Sequence, residues 1–157
     1  HGANLGEDVT YSGTVAAAME ATLFKVPAVA FSQVCESRQH IKWATAEHYA
    51  PRVIERLLTT PWPEDVLVNV NFPDLVAGEV AGIQVTTQGK RKIGDTLLER
   101  VDPRGEPYLW IGALRESAEP GEGTDLAAIA SGFVSVTPVH LDMTHHASLE
   151  AFRQRMV

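Results

Sequence analysis

Cysteine is almost absent: Cys35 stands alone in 157 residues. One thiol cannot build an internal disulfide framework, and such sparing use fits a reducing compartment. Long apolar runs are missing too. No stretch approaches the roughly 18 residues that a membrane-spanning helix needs, and no secretory signal is recognisable, so a cytoplasmic location is expected. Basic charge is scarce, with 13 Lys and Arg against 20 Asp and Glu and a formal net charge of −7. That balance argues against general affinity for nucleic-acid duplex or an anionic membrane. A single phosphate is a local matter and stays open. Neither a Cys/His zinc spacing, a Walker A pattern nor a Ser/His/Asp triad is recognisable. What remains is 45% hydrophobic and 21% charged, the composition of one globular domain with a core. The chain opens HGANLG without an initiator Met and is expected to be a fragment of a longer protein.

Along the chain the pattern is α/β. Residues 14–26, TVAAAMEATLFKV, are good helix formers with few polar interruptions, so protein is expected around most of that helix. Pro27 ends it, and PAVAFSQV reads as a strand buried on both faces. A second helix is predicted from Ile41 to about Thr60, with Pro51 inside it as an expected kink or break. VLVNVNFP, residues 66–73, alternates as a strand, with Asn69 and Asn71 on one face and Val66, Val68, Val70 and Phe72 on the other. GIQVTTQG, residues 82–89, reads as another strand.

Residues 96–112, TLLERVDPRGEPYLWIG, read as two antiparallel strands around a type I turn at Asp102-Pro103-Arg104-Gly105. This hairpin carries Tyr108 and Trp110 on one arm. It either extends the sheet of its own domain or reaches a neighbouring subunit. Thr124 can cap the short helix TDLAAIAS, which Gly132 stops. FVSVTPVHL is a further strand, and ASLEAFRQRM a terminal amphipathic helix.

The candidate chemistry lies in YSGTVAAAME, residues 11–20. A helix N-terminus presents unpaired N–H groups and the positive end of the helix dipole, which together suit an anion. Gly13 removes a side chain from the approach, and Ser12 and Thr14 add hydroxyls. The plainer reading is that Ser12 or Thr14 only caps the helix. Asn4 is either a turn residue or a donor to a phosphate. Glu7 and Asp8 are either oxygen ligands for Mg²⁺ or Mn²⁺ or a solvated pair favoured by the dipole. His145 and His146 are adjacent and within a helix would point different ways, which speaks against a joint metal site; His140 and His145 read as packing or hydrogen-bonding residues near the terminal helix, and Cys35 as structural.

The segments GANLGEDVTYSGTVAAAME, LVNVNFPDL, GIQVTTQG, VDPRGEPYLWIG and GEGTDLAAIASGFVSVTPVHLDMT occur in order along the whole chain. They closely resemble the SurE family, the stationary-phase survival proteins. The resemblance implies a Rossmann-like, three-layer α/β fold, here its C-terminal portion, with a protruding antiparallel β-hairpin. It implies divalent-metal-dependent hydrolysis of nucleoside 5′- and 3′-monophosphates, and in some members of polyphosphate. Asn4, Ser12, Gly13 and Thr14 match the family's phosphate-side loop. The 96–112 hairpin matches an arm used in dimer and tetramer assembly, which makes a homodimer or homotetramer the expected state, and the C-terminal stretch resembles a segment used in subunit exchange or packing. Ala21 stands where the family usually has Gly, and Phe133 where it commonly has Tyr. The family's metal ligands, a pair of adjacent aspartates, a Ser and an Asn, match no position in residues 1–157 and are expected upstream of His1. The alternative reading is a non-catalytic nucleotide-binding or oligomerisation scaffold.

Overall fold

The computed structural model describes residues 2–37, 39–90, 97–111 and 120–156. A 3-10 turn (Gly6–Tyr11) runs into α1 (Gly13–Leu23). Then come β1 (Val29–Gln33), α2 (Trp43–Leu58), β2 (Val66–Phe72), β3 (Gly82–Val85), β4 (Leu97–Val101), β5 (Pro107–Ile111), α3 (Asp125–Ala130), β6 (Phe133–His140) and α4 (His146–Met156). The main sheet has the order β1-β2-β6-β3. β1 and β2 are parallel and joined through α2, β6 is antiparallel to β2, and β3 is parallel to β6.

The alternation in β2 sets the layers. Val68, Val70 and Phe72 pack with Val134 and Val136 of β6 against Tyr49 and Val53 of α2. Leu67 points to the opposite face, where it packs with Ala28 and Ala30 against Val9, Val15 and Ala18. The sheet thus lies between α2 on one side and α1 with α3 on the other, the three-layer α/β arrangement expected. Asn69 and Asn71 share the Leu67 face and are wholly buried.

Four local expectations need correction. α2 runs through Pro51 without the break into two helices that was one of the two expectations there. Its buried residues Thr45, Tyr49 and Val53 recur every four positions, and Pro51 stands on the exposed side, where water can take the carbonyl that its missing N–H leaves free. α1 ends three residues early, at Leu23. Lys25 adopts φ 60° and donates its N–H to Thr22 O (2.8 Å), while Val26 N–H reaches Ala21 O (3.0 Å). This is a Schellman ending with Lys where Gly is usual. Nor is α1 covered all round: Val15, Ala18 and Thr22 are buried, whereas Ala16, Ala17, Glu20 and Leu23 are exposed. The fourth correction is the 82–89 strand, which stops at Val85 because the chain then turns away from β6 to pair Thr87 with Thr124.

The hairpin turn is as expected. Gly105 N–H donates to Asp102 O (3.0 Å), and Asp102 Oδ1 accepts from Arg104 N (2.8 Å) and Glu106 N (2.9 Å). β4 and β5 form a two-stranded sheet of their own, and every residue of β4 is exposed. The hairpin therefore projects instead of extending the main sheet. Thr96 and Gly112 of the expected hairpin lie outside the described residues.

Candidate functional site

Asn4 lies against the carboxyl halves of β1 and β2, beside Ser32, Asn69 and Asn71. Asn4 is held there by four hydrogen bonds. Its N–H donates to Asn71 Oδ1 (2.8 Å), and its carbonyl accepts from Asn71 Nδ2 (3.0 Å) and Asn69 Nδ2 (2.8 Å). Its side-chain Nδ2 donates to Ser32 Oγ. Asn4 is therefore more than a turn residue, and its amide nitrogen is already engaged by the protein. Two residues on, Gly6 N–H donates to Asp125 Oδ2 (2.8 Å). Asp125 is fully buried, and its other oxygen, Oδ1, accepts from Gly89 N (2.8 Å) and Leu126 N (2.8 Å). One carboxylate thus ties the loop to α3 and to the end of the β3 segment.

The 3-10 turn then delivers the chain to α1. Ser12 is the N-cap: its Oγ accepts from Val15 N (3.1 Å). Ser12 N–H goes to Val9 O (3.4 Å) and Ala16 N–H to Ser12 O (2.9 Å). The N–H groups of Gly13 and Thr14 have no acceptor among the described residues. A Cβ added at Gly13 would meet nothing within 4 Å, so the space before the helix is open. The capping reading of Ser12 is realised, and it leaves the hydroxyl proton of Ser12 for another acceptor. Asn4 and the Ser12–Thr14 turn belong to one loop but not to one hydrogen-bonded cluster. Tyr108 and Trp110 sit apart on the projecting hairpin, facing Arg100 and Leu98 across the strand pair.

Glu7 and Asp8 lie in the first turn of the 3-10 segment. Among the described residues no group of three or more His, Cys, Asp or Glu could hold a metal ion. The Asp125 carboxylate is occupied by backbone N–H groups, which leaves it poorly placed as a ligand. His146 Nε2 meets Asp142 Oδ2 at 2.7 Å and His145 Nδ1 meets Ser148 Oγ at 2.5 Å, so the adjacent histidines have separate partners, as expected. Hydrogen bonds from Thr144, and then from His146, hold the Asp142 carboxyl well below the usual carboxylate range.

Sequence reasoning gave no role to Ser32, Asn69, Asn71 or Asp125. For the two asparagines a signal was present: Asn is depleted in strands, and here two alternate with Val in a central one.

A sheet between helix layers, with a pinned loop over its carboxyl strand ends and open helix N–H groups beside it, defines an α/β protein of the kind that places ligands at strand ends. Comparison with known proteins narrows the class. The family described as "Survival protein SurE" matches residues 1–95. A protein of Paramagnetospirillum magneticum named 5'-nucleotidase SurE is 57% identical over 150 residues, covering 96% of this chain and 58% of that protein. A second of that name, from Parvibaculum lavamentivorans, is 46% identical over 158 residues, covering 99% and 57%. The crystal structure of the SurE protein from Aquifex aeolicus superposes with a TM-score of 0.84 at 40% identity, covering 99% of this chain and 62% of that one. The chain belongs to the SurE family. It spans under three-fifths of the length of the two named relatives.

Proposed function

We propose that the gene product carrying this chain is a phosphomonoesterase for nucleoside 5′- and 3′-monophosphates, and that residues 4–14 form the phosphate side of its site. The observation that carries this reading is the 57% identity, across 96% of the chain, to a protein named 5'-nucleotidase SurE. The geometry supports it. The free N–H groups of Gly13 and Thr14, the Thr14 side chain on the exposed surface and the α1 dipole can receive phosphoryl oxygens. Held in place before reaction, they would stabilise the charge that develops on those oxygens. The divalent cation implied by the resemblance, Mg²⁺ or Mn²⁺, is not assigned to these residues, and none of these steps passes through it.

The test is phosphate release from nucleoside monophosphates and from polyphosphate by that gene product, with Mg²⁺ or Mn²⁺ and then with chelator. Release that chelation abolishes supports the metal-dependent nucleotidase. A protein that binds nucleotide without releasing phosphate under any of these conditions is instead the binding scaffold.

Ser12→Ala is expected to lower kcat/KM at least about tenfold, because a donor to the phosphoryl oxygens is lost. Loss of the cap should cost only about 1 kcal/mol of stability. Unchanged kcat/KM in the variant would remove Ser12 from the phosphate site.

We further propose that the hairpin is an assembly arm in a homodimer or homotetramer. Leu97, Val101, Leu109 and Trp110 are each about 60% exposed or more, an apolar display that a small two-stranded sheet does not need for itself. Replacing residues 96–111 by a short Gly-Ser link should reduce the assembly mass in sedimentation. An unchanged mass would rule the arm out.

A further inference from the structure

Among the described strands β2 is deeply enclosed, with all but its first residue buried. Two of its seven residues are nevertheless asparagines, and both send their donors to one half-buried loop residue more than sixty positions away. Asn69 leaves its Oδ1 buried with no hydrogen-bond partner among the described residues. An orphaned buried acceptor costs stability, and a Val or Thr in the strand would avoid that cost. The polar seam does not end there. Asn71 pairs across the strands with Ser135 and Asn69 with Thr137, and Thr86 Oγ1 lies 2.9 Å and 2.7 Å from those two hydroxyls.

The match between Asn71 and Asn4 is specific. Asn71 offers one acceptor and one donor, and these meet the N–H and the C=O of a single residue, as a neighbouring strand would. A carboxylate offers acceptors only, and an aliphatic side chain offers neither. Two residues beyond Asn4, Gly6 is fixed by Asp125, and the 3-10 segment Gly6–Tyr11 leads from there to Ser12. Fixing Asn4 therefore fixes the entry to the turn that carries the open N–H groups.

We propose that Asn71, assisted by Asn69 and Ser32, is a positioning residue that holds the Asn4 loop in its phosphate-receiving geometry before ligand arrives. This rests on the nucleotidase reading above. Asn71 touches no phosphate; it acts through Asn4. Preorganisation of this kind lowers the cost of binding and keeps the receiving groups aligned during the reaction.

The experiment measures kcat/KM for a nucleoside monophosphate and the Kd of inorganic phosphate. It uses the gene product carrying this chain as wild type, Asn71→Ala and Asn71→Asp, from pH 5 to 8 (a range set on the order of the groups involved), at a temperature where all are folded. Asn71→Ala should weaken both quantities on the order of 10- to 100-fold. Asn71→Asp should approach wild type at the acid end and fall away from it as pH rises. Its carboxyl group can donate to the Asn4 carbonyl only while protonated, and burial keeps it protonated to higher pH. A purely structural role would shift the unfolding midpoint and leave the phosphate Kd of the folded protein unmoved. A folded Asn71→Ala with wild-type Kd and kcat/KM overturns the proposal. If that variant fails to fold, the Asn71→Asp series decides, and a flat ratio to wild type across pH overturns it. A wild type that neither binds phosphate nor releases it overturns the nucleotidase reading and this inference with it, an outcome visible before any variant is made.

Discussion

Asp125→Ala is expected to destabilise the protein by about 4 kcal/mol, because it strands three backbone donors at once. The wild-type carboxylate is fully buried and accepts from Gly6, Gly89 and Leu126, each at 2.8 Å. These donors come from three separate stretches of chain, so no local rearrangement can satisfy all three. For a chain of this size the loss corresponds to a fall in Tm of about 10 °C. Asp125→Asn should do less harm. It keeps the oxygen that serves Gly89 and Leu126 but turns an NH₂ toward the Gly6 N–H, a donor against a donor. The order Ala worse than Asn, read as urea midpoints, checks the argument. Equal midpoints for wild type and Asp125→Ala would mean that water replaces the carboxylate. Because Gly6 is in the candidate phosphate loop, the Ala variant should also loosen that loop.

The parts of this fold that were legible in the sequence are those decided by neighbours in the chain. The alternation of VLVNVNF, the Pro and Gly of the hairpin turn and the Thr124 cap each settle a local geometry, and the structure has all three. Where tertiary context decides, the local pattern misleads. α1 reads as enclosed because it is rich in Ala, yet Ala is as good a helix former in water as in a core, and Ala16 and Ala17 are exposed. Pro51 reads as a kink or a break, and with its free side to solvent the helix runs on through it unbroken.

The candidate site divides the same way. Ser12, Gly13 and Thr14 stand out because a helix start is a local event. Asp125 does not: an acid in the first turn of a helix is ordinary. Only the fold brings Gly89 and Gly6 to it, from 36 and 119 positions away. Asn69 and Asn71 lie between these cases. Their shared face follows from strand periodicity, while their target, Asn4, follows only from the loop that crosses the sheet.

Gly89→Ala should cost about 2 kcal/mol, for a reason that its backbone conformation does not supply. Gly89 does not have a left-handed φ, so alanine suits the chain there. The obstacle is contact: an added Cβ would lie 2.8 Å from Asp125 Oδ1, 3.0 Å from Leu126 Cδ1 and 3.2 Å from Thr124 Cβ. A flexible side chain could swing away from such a methyl group, but Asp125 is held by three N–H groups and cannot move without releasing them. The methyl group thus acts by breaking the same staple that Asp125→Ala removes, and the two changes should not add. In the Asp125→Ala background the Gly89→Ala cost should fall to less than about half its value in the wild type, since the closest clash has gone. Strict additivity in that double-mutant cycle would show that the contacts with Leu126 and Thr124 carry the cost. Sub-additivity would show that the glycine is required by the carboxylate, and that the end of the β3 segment, the start of α3 and the candidate phosphate loop are stabilised as one unit.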